Sequence, residues 1–232
     1  MLRDIFIDSF VSEGGEQYDH FALSYEVAGP PLGSAPVVVV NHALTGNSTV
    51  TGERGWWSKL ISQEGAISPE SYTILAFNIP GNGYDGREAS DPERFTLRDV
   101  ARLFILALER LGLTRVYAII GASMGGALTW QMAYLQPELA EKIFPIACDY
   151  RASDWLLTQT LIQKQILKNS SEPLRDARIH AMSCYRTPQS LNARFTSTRQ
   201  GTAGQYDVES WLLYHGDALQ GRFKLSAYQV MT

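Results

Sequence analysis

Cysteine is nearly absent: Cys148 and Cys184 are the only two in 232 residues. That excludes a disulfide framework, and neither thiol stands in a metal-type spacing, so no metal is expected. Histidine is scarce as well, with four residues, which leaves few choices for a general base. Long hydrophobic runs are missing. No segment nears the roughly 18 apolar residues of a membrane span, and Asp4 and Asp8 fall where a signal peptide would be apolar. Basic runs are missing too: Lys+Arg number 20 against 24 Asp+Glu, a net charge of −4, so neither a nucleic-acid partner nor a charged tail is indicated. No internal repeat or low-complexity segment is visible. What remains is an ordinary globular composition, long enough for one sizeable core or a core with an excursion. A cytoplasmic enzyme is the default expectation.

The stretch from Val116 to Trp130 organises the chain. It reads as an apolar strand, an abrupt turn and a helix, with Gly121, Ser123 and Gly125 in the G-x-S-x-G pattern. A nucleophile at such a corner sits in strained backbone, and small neighbours let the flanking segments pass closely. The helix that follows aims its first N–H groups at an oxyanion forming beside Ser123. The plainer alternative is a serine that merely caps a helix.

In chain order, Ile5–Phe10 and Leu23–Ala28 read as early strands around a turn at Glu13–Glu16. Val37 to Val40 is a continuous β-branched run, as expected of a central strand covered on both faces. Its exit, His42 to Ser48, is the loop that in an α/β-hydrolase arrangement supplies one oxyanion N–H, the residue after the nucleophile supplying the other. The backbone amides of Leu44 and Met124 are therefore the candidates. Arg54–Leu60, with Trp56 and Trp57, looks like the start of a short helix. Tyr72–Asn78 is the next strand, followed by a glycine-rich loop, Ile79–Gly86, at the strand end where open α/β sheets place ligands. Tyr84 on this loop and Asn47 on the preceding one are candidate substrate contacts. Thr96-Leu97-Arg98-Asp99 resembles a capping box, and Val100, Leu103, Phe104, Ala107, Leu108 and Leu111 recur at helical spacing until Gly112. Lys142–Cys148 is a further strand. The alternation predicts a mostly parallel sheet with helices on both faces, in a core of residues 1–150. Residues 151–232 carry helical patterns only: one from Trp155 to Leu167, one from Leu174 to Cys184, and one with a cap expected at Asp207. This second region reads as a helical lid.

A serine hydroxyl needs a base, and the base an orienting acid. In this fold their chain order is Ser, Asp or Glu, then His. His180 and His215 alone follow Ser123, both inside helical patterns rather than at strand ends. His42 reads as a structural hydrogen-bonder. Asp149, directly after a strand, is the candidate acid. The last strands of the fold are not found in this chain, so an incomplete catalytic set is expected, with the Cys148 strand as an exposed sheet edge.

Several spaced motifs resemble the homoserine O-acetyltransferase family: His42-Ala43-Leu44-Thr45-Gly46, Gly55-Trp56-Trp57, Thr96-Leu97-Arg98-Asp99, Gly121-Ala122-Ser123-Met124-Gly125-Gly126, Pro145-Ile146-Ala147 and Val208-Glu209-Ser210-Trp211-Leu212. The resemblance runs nearly end to end. It implies an acyltransferase that takes an acetyl or succinyl group from coenzyme A to the hydroxyl of homoserine by a ping-pong route through acyl-Ser123. Acetyl-CoA is then a co-substrate, with no bound cofactor, and the helical region is expected to form a homodimer. Where the family carries a Gln-Arg pair whose arginine faces the acceptor, this chain has Gln163-Lys164, so Lys164 becomes a candidate substrate contact that keeps the charge but not the bidentate fork. A serine hydrolase, or a chain without its base and acid, are the alternatives.

Overall fold

The computed structural model describes residues 1–88, 95–199 and 204–232. Two alternating stretches come first: β1 (Arg3–Val11) and β2 (Gln17–Ala28) pair antiparallel. They are followed by β3 (Val37–Asn41), β4 (Thr73–Phe77), β5 (Val116–Ala122) and β6 (Ala140–Ile146). One sheet results, in the order β1-β2-β4-β3-β5-β6. β2 runs antiparallel to β4, and β4, β3, β5 and β6 are parallel. β3 and β4 are buried at every position, which is why their sequences are apolar without alternation. β6 is the outermost strand on its side and leaves Phe144 and Ile146 exposed.

β2 begins six residues before the sequence pattern suggests. Asp19 and His20 obscure the alternation, but Tyr18 pairs opposite Phe10 and joins a ring cluster with Phe21 and Phe95. Burial of these rings outweighs the polar residues between them.

α1 (Leu97–Arg110) opens on the expected capping box: the Thr96 side chain accepts from the Asp99 N–H, and the Asp99 carboxylate accepts from the Thr96 N–H. Asp99 also accepts from the N–H of Glu13 at 2.9 Å, tying the β1–β2 turn to this helix. Gly112 follows the helix at φ 75°, a backbone state glycine adopts without strain. α2 (Met124–Leu135) follows β5 directly.

Arg54–Leu60 is not a helix. The N–H groups of Trp56 and Trp57 donate to the carbonyls of Thr49 and Val50, and those of Ser58 and Leu60 to the carbonyls three residues before them, so the segment forms successive turns rather than a helix. The two indoles stack with centroids 4.9 Å apart and pack on the sheet face formed by Val38, Val40, Ile74 and Ile120.

The chain divides into two compact units, Met1–Ala152 and Ser153–Val230. The second is helical: α3 (Asp154–Asn169), α4 (Pro173–Cys184), α5 (Pro188–Arg194), α6 (Asp207–Gln220) and α7 (Leu225–Met231). Asp207 is the first residue of α6 and not its cap. The cap is Tyr206, whose N–H donates to the Glu209 carboxylate at 2.8 Å. α5, opened by Pro188 and capped by Thr187, is too short to leave a periodic signature. Among the described residues, no helix is long and apolar enough to cross a membrane.

Candidate active site

Three glycines allow the corner at Ser123, each for a steric reason. A Cβ on Gly121 would strike the Gly125 carbonyl and lie 2.9 Å from Thr129 Oγ1. One on Gly125 would strike the Asn41 carbonyl and lie 2.7 Å from the His42 carbonyl oxygen. One on Gly126 would strike Cys148 Sγ and lie 3.0 Å from the Ile146 carbonyl oxygen. With those side chains absent, α2 starts directly against the ends of β3 and β6. Ser123 sits at φ 55°, ψ −122° and is solvent-exposed. A β-carbon in that region costs on the order of 1–3 kcal/mol, and such strain concentrates at functional sites. Its N–H donates to the Ile146 carbonyl at 2.9 Å and its carbonyl accepts from Ala127 at 3.0 Å. The hydroxyl makes no capping bond and has no hydrogen-bond partner among the described residues. A serine retained only as a helix cap would spend its oxygen on the helix.

The N–H groups of Leu44 and Met124 also have no partner among the described residues. Leu44 belongs to a loop held from its first residue. His42 is fully buried; its Nδ1–H donates to the Ala43 carbonyl at 2.8 Å, and its Nε2 accepts the Ile79 N–H at 3.0 Å. A ring nitrogen accepting from a backbone amide cannot itself carry a proton, so this imidazole is neutral. Burial lowers its pKa from 6.5 to about 4, outweighing the bond to Ala43, which raises it. Because the folded pKa lies below the unfolded one, the unfolded chain binds more protons between pH 6.5 and 4. Stability should therefore decline as the pH drops through that window, by about 3 kcal/mol once both states are protonated. Denaturant titrations of wild type and His42→Gln should show that component of the slope vanish in the variant; an identical pH dependence would contradict it.

Loop 42–49 also meets the 79–86 loop through a set of buried polar side chains that the sequence pattern does not single out. Asn78 is 2 % exposed. Its Oδ1 accepts from the Ser48 N–H at 2.9 Å and from Asn82 Nδ2 at 3.1 Å; its Nδ2 donates to the hydroxyls of Ser24 and Ser48, both at 3.0 Å. Ser48 and Thr49 in turn donate to the Glu26 carboxylate. The available signal was compositional: an asparagine just past the end of β4, with Ser24 and Ser48 on the neighbouring segments. Asn47 spends its Oδ1 on the N–H of Thr49, and its carbonyl accepts from the Trp56 indole at 2.8 Å. Tyr84 is exposed and its hydroxyl shares a 2.5 Å hydrogen bond with Thr49 Oγ1.

Asp149 and the two histidines after Ser123 have partners of their own. Asp149 is exposed and accepts from the N–H of Tyr150 at 2.7 Å. Within the helical unit, His180 Nδ1 lies 2.8 Å from Gln163 Nε2, and His215 lies edge-on to the rings of Trp211 and Tyr214. Burial lowers the pKa of both histidines, with Arg178 and Arg194 adding to the effect at His215. Lys164 is exposed on α3. Gln163 beside it is buried and anchors the helical unit, its Nε2 donating to the Ala177 carbonyl and its Oε1 accepting from the Tyr228 hydroxyl. The Cys148 thiol is pushed up, first by burial and then by the charge of Asp149, so it is a poor nucleophile.

Comparison with known proteins bears on the family and the fold. Residues 36–216 match the family model described as the alpha/beta hydrolase fold. A homoserine O-acetyltransferase of Trichormus variabilis is 30% identical over 96% of this chain and 69% of its own length. One from Salinibacter ruber is 31% identical over 100% of this chain and 74% of its own length. The crystal structure of homoserine O-acetyltransferase from Staphylococcus aureus aligns with a TM-score of 0.83 at 28% identity, covering 99% of this chain and 69% of that one. Esterase E22 aligns with a TM-score of 0.82 at 17% identity over 100% of this chain and 77% of that one, a likeness of fold alone.

Proposed function

Since the chain belongs to the homoserine O-acetyltransferase family of the α/β-hydrolase fold, whose chemistry is acyl transfer or hydrolysis, we propose that it moves a short acyl group from acyl-CoA to a small hydroxyl acceptor such as homoserine. The observation that carries the reading is Ser123: an exposed, unspent hydroxyl on a strained corner whose following residue offers an unspent N–H. In the first half-reaction Ser123 Oγ attacks the thioester carbonyl, the carbon–sulfur bond breaks, and coenzyme A departs as its thiol. The amides of Leu44 and Met124 stabilise the oxyanion of the tetrahedral intermediate. In the second half-reaction the acceptor hydroxyl attacks acyl-Ser123 and the serine is released. Each step moves a proton, and among the described residues of Met1–Ala152 no side chain hydrogen-bonds to Ser123 Oγ to take it. Asp149 is the acid this reading nominates. A homodimer through the helical unit is part of the same proposal, supported by the exposed Trp155, Leu157 and Leu161 of α3.

Hydrolysis is the second reading, favoured by the solvent exposure of Ser123. Incubating the full chain with acetyl-CoA, with and without homoserine, separates the two. Thiol release that depends on homoserine is the expected result. Acceptor-independent release identifies a hydrolase, and the absence of both turnover and an acetyl adduct on Ser123 by mass spectrometry contradicts an acyl-enzyme of either kind.

A further inference from the structure

We propose that Asn78 is a positioning residue: its buried carboxamide clamps loop 42–49 against loop 79–86 and thereby holds the Leu44 N–H in place for the acyl-transfer step. The inference rests on the reading of Leu44 as an oxyanion donor. The amide orientation of Asn78 is set by the backbone N–H of Ser48, which can only donate, so Oδ1 must face it. Nδ2 then faces two serine hydroxyls whose own protons are committed elsewhere, Ser24 to Asp85 at 2.7 Å and Ser48 to Glu26 at 2.9 Å. All four hydrogen-bonding positions of the carboxamide are therefore used, on partners from β2, loop 42–49 and loop 79–86. The backbone of Asn78 adds a fifth tie, its N–H donating to the Ser24 carbonyl at 2.9 Å.

Loop 42–49 is fixed at both ends by this arrangement. His42 holds the start through Ile79, and Asn78 holds the finish through the N–H and hydroxyl of Ser48. Asn82 joins the two clamps, reaching Asn78 Oδ1 at 3.1 Å and His42 Nε2 at 3.3 Å. Leu44 lies between the fixed ends with its N–H unspent. Gly46 tightens the span, its N–H donating to the Ala43 carbonyl at 2.9 Å, while a Cβ there would come within 2.8 Å of the His42 side chain. An aspartate cannot replace Asn78, because its oxygens would face two hydroxyl oxygens already donating to carboxylates.

The experiment compares Asn78→Ala and Asn78→Asp with wild type by hydrogen–deuterium exchange and by the rate at which p-nitrophenyl acetate acetylates Ser123, in the full chain. Exchange in residues 42–49 should rise at least about tenfold in both variants, as expected from losing several buried hydrogen bonds, while β3 and β5 stay protected. Acetylation should slow by roughly tenfold or more, approaching the 10²–10³ that deletion of an oxyanion donor costs. A folded variant with unchanged exchange in 42–49 overturns the clamp. If exchange rises but wild-type Ser123 is never acetylated, the serine reading fails and the clamp stands. Should neither variant fold, Ser48→Ala takes their place, with a smaller rise confined to the same segment; no rise there overturns the proposal.

Discussion

Replacing Gly125 with alanine should cost about 3 kcal/mol of stability and leave Ser123 unreactive, although the same change in an open helix would stabilise by about 1 kcal/mol. The difference is steric. Gly125 does not occupy the left-handed region, so no backbone conformation is being protected. What the added methyl meets is main chain: the Asn41 carbonyl first, and the His42 carbonyl oxygen at 2.7 Å. Main chain inside a sheet cannot rotate aside as a side chain can, and overpacking that forces backbone shifts falls at the upper end of measured costs. Relief would require α2 to back away from β3, carrying Ser123 and the Met124 amide with it. Gly112 provides the internal contrast. A Cβ there meets nothing within 4 Å, so Gly112→Ala should cost only about 1 kcal/mol, from its positive φ alone. Denaturant melts of the two variants, read beside Ser123 acetylation, test the difference; equal losses would mean that the close passage of α2 over β3 is not what Gly125 protects.

Local sterics explain which parts of this site the sequence could announce. The corner was legible because its requirements lie within a few residues: an apolar strand, then small residues at fixed spacing, then a helix. The buried strands β3 and β4 were legible from continuous β-branched or aliphatic runs, and the start of α1 from Thr96 and Asp99 three residues apart. The clamp around Asn78 was not, because its partners are 30 and 54 residues distant and each is an ordinary serine until the sheet brings them together. The Trp56–Trp57 segment misled for a related reason. Its composition suits a helix, but its N–H groups find the carbonyls of Thr49 and Val50, which only the folded loop supplies. Leu44 was read from the place of its loop at the exit of a central strand in this fold arrangement, since nothing in the residues themselves distinguishes an oxyanion donor from any other loop amide.

Ser123 should separate function from stability by its two simplest replacements. Both Ser123→Ala and Ser123→Gly remove the attacking oxygen, so neither should form an acetyl-enzyme, and turnover should fall at least about 10³-fold, to background. Their stabilities should differ. At φ 55°, ψ −122° a β-carbon is strained whether or not it bears a hydroxyl, so alanine inherits the strain and should melt close to wild type. Glycine sheds it. Relief of roughly 1–3 kcal/mol competes with the 0.5–1 kcal/mol or so that glycine loses through the greater freedom of the unfolded chain. Strain relief outweighs that loss, so Ser123→Gly should be more stable than wild type by about 1 kcal/mol. The hydroxyl contributes no hydrogen bond among the described residues to offset that gain. Paired denaturant melts and acetylation assays of the two variants decide the matter. A glycine variant no more stable than the alanine variant would mean that the corner is relaxed, and that the exposed serine owes its position to something other than backbone strain held in reserve for reaction.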